Sequence, residues 1–163
     1  MGKKGLSVIT AAVLVVTMLA TPFAQADLAS ERGEYKEAVE PICKVNAEAN
    51  KRILKGVRKL VKQGKLKAAG SRFARAGAAL RRTHGELASV PQPEEDKTRL
   101  TKWLGRIAFE ATLFKKAAAK LKAGNKTAAQ TLVIKLQHNA SQANNLVISY
   151  EFHYCRFEPS KFT

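Results

Sequence analysis

The sequence predicts an all-α protein, an antiparallel up-down-up-down four-helix bundle closed by one disulfide. Three observations lead there. Beyond residue 33, apolar residues recur at threes and fours along most of the chain, which places them on one face of successive helices. No alternating β-branched run bounded by turn residues occurs. The chain also holds two cysteines, Cys43 and Cys155, one near each end of the helical region.

The elements follow in order. Residues 1–26 read as a secretory signal peptide. Lys3 and Lys4 form a positive start, Leu6 to Ala20 is an uncharged apolar run, Pro22 breaks it, and Ala24-Gln25-Ala26 offers small residues for cleavage between Ala26 and Asp27. The competing reading is an uncleaved membrane anchor, but the run falls short of the roughly 20 apolar residues that a span needs. The expected destination is secreted or envelope-associated, with no transmembrane segment after cleavage. The mature chain, 27–163, is then 137 residues long, enough for one helical domain with its own core.

Tyr35, Val39, Ile42, Ala49, Ile53, Val57 and Leu60 mark the first helix. Pro41 either starts that helix or bends it, and Gly64 ends it. Leu66, Ala69, Phe73, Ala76, Leu80, His84 and Leu87 mark the second. Val90-Pro91-Gln92-Pro93 is a rigid linker over 90–93, and Glu94, Glu95 and Asp96 open the third helix where its dipole favours negative charge. Leu100, Leu104, Ile107, Ala111, Phe114, Ala118 and Leu121 form the third stripe. Gly124-Asn125 makes the turn, and Leu132, Leu136, Ala140, Ala143, Val147, Tyr150 and Tyr154 form the fourth. The domain thus divides into hairpins of about 34–88 and 94–156. The stretches Leu60…Gly64…Ala68-Ala69 and Leu121…Gly124…Ala128-Ala129 look like one helix–Gly–helix corner used twice.

In an oxidising compartment two isolated cysteines read as one disulfide, the alternative being two buried thiols. An up-down-up-down bundle brings the start of its first helix and the end of its last to the same end, so Cys43 and Cys155 can meet. The aromatic ending Tyr150 to Phe157 then reads as a plug around that bridge.

The order Tyr35…Pro41-Ile42-Cys43, Val90-Pro91-Gln92-Pro93 with its acidic follow-on, the Gly124 corner and Tyr154-Cys155 resembles a group of exported helical proteins of actinobacteria. Those proteins are often lipid-anchored and carry one cysteine near each end of the mature domain. The resemblance covers nearly all of 33–157 and implies the fold and the compartment, with no activity attached. This chain has Asp27 where a lipidated member has its cysteine.

Chemistry is sparse. His84, His138 and His153 include no i, i+4 pair, and Glu151 and His153 are two residues apart, so no metal site is expected. No G-x-S-x-G, phosphate-binding or dinucleotide motif occurs, so neither catalytic residues nor a cofactor is assigned. Asn46 and Asn50 on the first helix, with Asn139, Gln142 and Asn145 beside the stripe of the last, suggest a polar seam between the two, readable as a small-ligand pocket or as a hydrogen-bonded layer that fixes register.

Charge is the leading signal. The chain carries 29 Lys and Arg against 13 Asp and Glu, and removal of Lys3 and Lys4 with the signal leaves a net +14. No acid lies between Glu48 and Glu86, where Lys51, Arg52, Lys55, Arg58, Lys59, Lys62, Arg72, Arg75, Arg81 and Arg82 accompany Lys65 and Lys67. A second acid-free stretch, Ala111 to Tyr150, carries six lysines. Such a field draws polyanions, and outside the cell the expected partners are anionic wall polymers or other extracellular polyanions. Specific nucleic-acid recognition is not expected, because Phe73 is the lone aromatic among the cations of 51–82. The expected function is a non-enzymatic binding module. A small-ligand carrier and an enzyme without a recognised motif are the alternatives.

Overall fold

A computed structural model describes residues 23–158, with side chains from Asp27 onward. Residues 1–22, most of the segment read as a signal peptide, lie outside the described residues. Within them the chain is all-helical: α1 (Phe23–Leu54), α2 (Val57–Lys62), α3 (Leu66–Ala88), α4 (Lys97–Lys122) and α5 (Lys126–Leu146). Short 3-10 turns span Glu94–Asp96 and Ile148–Tyr150. Consecutive long helices pack together, α1 on α3, α3 on α4 and α4 on α5.

Helix α1 buries Tyr35, Val39, Cys43, Asn46, Asn50 and Leu54, a stripe at fours and threes. The helix continues through Pro41 rather than starting there. Glu37 and Pro41 are both exposed, so the carbonyl that proline deprives of a donor faces water. Cys43 therefore sits well inside α1, not near its start. The helix stops short of Gly64, breaking at Gly56, whose φ of 77° is left-handed, before the single short helix α2.

The two glycine corners are one structure used twice. Lys65 N donates to Leu60 O at 2.9 Å and Gly64 N to Val61 O at 3.2 Å; sixty residues on, Asn125 N donates to Lys120 O at 2.9 Å and Gly124 N to Leu121 O at 3.0 Å. These paired bonds close each preceding helix around a left-handed glycine, φ 71° and 77°. The echo seen in the sequence is thus real but one residue out of step, since Val61, not Leu60, corresponds to Leu121.

Helices α3 and α4 run antiparallel and close together. A Cβ on Gly70 would lie 2.8 Å from the Ala118 carbonyl oxygen, and one on Gly77 would lie 2.8 Å from Phe114 Cβ. With 23 residues in α3, the corners at one end stand about 35 Å from the linker at the other.

Helix α5 ends at Leu146, earlier than the apolar stripe suggests. Val147 and Tyr150 remain buried through a 3-10 turn, whose spacing of three mimics a continuing helix. Glu151, at φ 50°, then turns the chain back as a tail. That tail lies along α1. Glu40 accepts from the backbone N–H groups of His153 and Tyr154, Cys43 and Cys155 form a disulfide with Cα atoms 5.0 Å apart, and Asn144 bonds both the N–H and the carbonyl of Phe157 at 2.9 Å. The aromatic ending does plug this end. Tyr35 packs edge-on to Tyr150, Tyr150 stacks on Phe152, and Phe152 covers Trp103 at 5.6 Å between ring centres.

Candidate functional site

The cations read from the sequence occupy the α1–α3 hairpin. Lys51 and Arg52 lie in the last turn of α1, Lys55 at its break, Arg58, Lys59 and Lys62 on α2, and Arg72, Arg75, Arg81 and Arg82 on α3. All are exposed except Arg72, which is half-buried and donates to the Lys55 carbonyl. Arg52 reaches Glu48 at 4.0 Å.

What the sequence left unseen is where the second acid-free stretch goes. Both glycine corners lie at the same end of the molecule and together line a cleft of about 620 Å³, formed by residues 64–68 on one side and 121–124 on the other. Lys65, Lys67 and Lys122 are exposed on its walls, and no ion pair or hydrogen bond engages their ammonium groups among the described residues. The two acid-free stretches, separate in sequence, thereby share one end.

Dividing the molecule across its middle gives the consequence. The half containing residues 46–77 and 111–137 holds sixteen cations against one acid, Glu48. The described remainder, 27–45, 78–110 and 138–158, holds ten cations against twelve acids. The whole positive excess therefore belongs to the corner half. Its two aromatics, Phe73 and Phe114, are buried and pack on each other at 5.6 Å.

The opposite end is organised by Asp96. Arg32 grips it bidentately (2.6 and 3.0 Å), Arg99 donates at 2.7 Å, and the Tyr150 hydroxyl donates at 2.7 Å. The Arg32 hydrogen bonds hold this carboxylate below its ordinary range despite burial. Burial, reinforced by Asp96, pushes the Tyr150 phenol up, and burial alone pushes Tyr35 to about 12. The sequence marked Asp96 only as one of three first-turn acids. Nothing in it distinguished the one that closes the fold.

The proposed seam divides. Asn46 and Asn50 are buried, with Asn50 Nδ2 donating to Asn46 Oδ1 at 3.2 Å. Asn145 is exposed and Gln142 half-buried, and no hydrogen bond joins either to the α1 pair among the described residues. The buried polar residue of α5 is instead Asn139, whose amide donates to the Arg106 carbonyl at 2.9 Å and to Glu110 at 3.3 Å. Glu110 is only 2% exposed, and burial pushes its carboxyl to about 8, with the Asn139 hydrogen bond acting the other way. A signal for it existed, since Glu110 lies three residues from Ile107 and four from Phe114, on the apolar stripe.

Among the described residues no group of three or more His, Cys, Asp or Glu side chains could hold a metal ion, and no helix is long and apolar enough to cross a membrane. The second cleft, about 480 Å³, lies between Glu31, Glu34, Tyr35 and Ala38 of α1 and residues 90–94 of the linker, so neither cleft includes the asparagines. In comparison with known proteins, no family, no curated protein and no solved structure matches this chain.

Proposed function

We propose that this chain is an exported, non-enzymatic binding module whose corner end adsorbs to anionic polymers of the cell envelope. In this reading the signal is cleaved between Ala26 and Asp27, and the four long helices form an up-down-up-down bundle. The observation that carries the proposal is the convergence of both acid-free stretches at one end, with sixteen cations facing one acid. A field concentrated in this way raises the local concentration of polyanions and accelerates their encounter, independently of any fitted pocket.

The reading requires electrostatic, salt-sensitive binding. Purified mature protein is expected to sediment with isolated cell walls at 50 mM salt and to be released at 0.5 M. Failure to sediment at low salt, or retention indifferent to salt, would sink the proposal.

A further inference from the structure

We propose that Glu110 of α4 and Asn139 of α5 form a proton-dependent latch: the protonated carboxyl clasps the two helices together, and loss of that proton lets α5 open away from α4. The inference is independent of the polyanion reading above.

The clasp consists of two side chains that are each only 2% exposed. The Asn139 amide nitrogen donates to the Arg106 carbonyl at 2.9 Å and to Glu110 Oε2 at 3.3 Å, its full complement of two bonds. The amide oxygen, Oδ1, is buried and meets no donor among the described residues. An ionised Glu110 only accepts, so it leaves that oxygen unmet and adds a charge to the same interface. A protonated Glu110 carries the missing donor. Its O–H then bonds Asn139 Oδ1 while its other oxygen keeps the amide N–H, so acid and amide hold each other by two hydrogen bonds. Release of the proton to water removes one bond and leaves a buried charge without a partner, which is costly.

No neighbouring charge relieves that state. Beside Asn139, α5 carries Lys135 and His138, both exposed; α3 carries Arg75, Arg81 and Arg82, exposed, and half-buried His84. On α4 itself Arg106 is half-buried one turn back and Lys115 is exposed. The 3-10 turn at the start of α4 brings Asp96, which is paired with Arg32 and Arg99. Glu110 has no ion pair among the described residues, and burial and the Asn139 amide are what act on its carboxyl.

Helix α5 is the element that yields. Its buried residues are Ala129, Leu136, Asn139, Ala140 and Ala143, so Leu136 is the one large apolar side chain among them. Leu132 and Val133 are only partly buried. Little apolar area therefore holds α5 down, whereas α3 and α4 approach to backbone contact at Gly70 and Gly77. Both ends of α5 stay tied, one by the Asn125 bond to Lys120 and the other by the Asn144 bonds to Phe157. The helix loosens between these ties without leaving the molecule.

The test is amide hydrogen exchange of the mature protein from pH 5 to 9, with each rate divided by its intrinsic value. Opening of α5 amides over 136–143 is expected to rise about tenfold per pH unit between 5 and 7 and to level off above about 8. These amides should also stay at least about tenfold more open than the buried amides of α3. Glu110→Gln places an amide N–H where the parent has an O–H, so its α5 opening should stay flat with pH at the parent's pH 5 level. Asn139→Ala should open α5 about tenfold already at pH 5. Opening of α5 that is flat with pH in the parent, or equal to that of α3 at every pH, overturns the latch. A carbon-13 titration of the Glu110 carboxyl needs no variant: a transition near 8 supports the latch, and one in the ordinary carboxylate range overturns it.

Discussion

Glu110 and Asp96 are both buried carboxyls, yet their surroundings push them in opposite directions. Asp96 has two guanidinium groups and a phenol, and these hold it ionised. Glu110 has one amide, and burial raises it from 4.5 to about 8. The consequence for stability follows from linkage. Below the unfolded value both states are protonated and the folded state keeps its full advantage. Between about 4.5 and 8 the unfolded chain releases the proton while the folded chain retains it, so stability falls as pH rises, and it levels off above 8. Glu110→Gln removes that titration and keeps an acceptor for Asn139. The variant is expected to unfold at the same urea midpoint as the parent at pH 4 and to be more stable by about 2–4 kcal/mol at pH 8. Parallel pH profiles for the two proteins would show that Glu110 does not hold its proton in the fold. Asn50 Oδ1 and Asn139 Oδ1, both buried without a donor among the described residues, give no such titration. Their cost is the lost hydrogen bond alone.

Helix identity was legible in the sequence, but the ends of the helices were not. The linker at 90–93 and the corners at Gly64 and Gly124 rest on residue types with strong backbone preferences, and they fall where the sequence puts them. The start of the first helix and the end of α5 do not, because each rests on a choice that only packing makes. An exposed proline is tolerated in a long helix, and a 3-10 turn keeps the apolar spacing of a continuing one. The cysteine pairing was foreseen, but its geometry was not. Cys155 lies on a returning tail rather than on α5, so the bridge fastens the tail to the middle of α1, with Glu40 one turn away. Closing a loop of 112 residues stabilises by about 5 kcal/mol in the chain-entropy model. Phe152 on that tail covers Trp103, the sole tryptophan, so its fluorescence reports tail docking. In Cys43→Ser/Cys155→Ser, stability is expected to fall by about 3–5 kcal/mol. Trp103 emission should shift in urea before helical circular dichroism is lost. Superimposed transitions and an unchanged midpoint would mean that the disulfide does not anchor the tail.

At the scale of the whole molecule, the charge division also makes a claim about stability. Neither acid-free stretch reveals it alone. Sixteen cations against one acid in half of a small bundle repel one another, and that repulsion weakens the compact state. The attractive pairs at the other end behave differently. Those on Asp96 are partly buried and are screened less than surface charges. Added salt therefore removes more repulsion than attraction. Raising sodium chloride from 20 to 300 mM is expected to raise the melting temperature by about 3–6 °C, which corresponds to roughly 1 kcal/mol for a domain of this size. The gain should shrink when four corner-half lysines, Lys59, Lys62, Lys116 and Lys120, are changed to Glu. It should persist when Lys36, Lys44, Lys97 and Lys102 of the other half are changed instead, because that half has no excess to relieve. A melting temperature that falls with salt would mean surface attraction dominates, and equal responses in the two quadruple variants would mean the repulsion is not confined to one end.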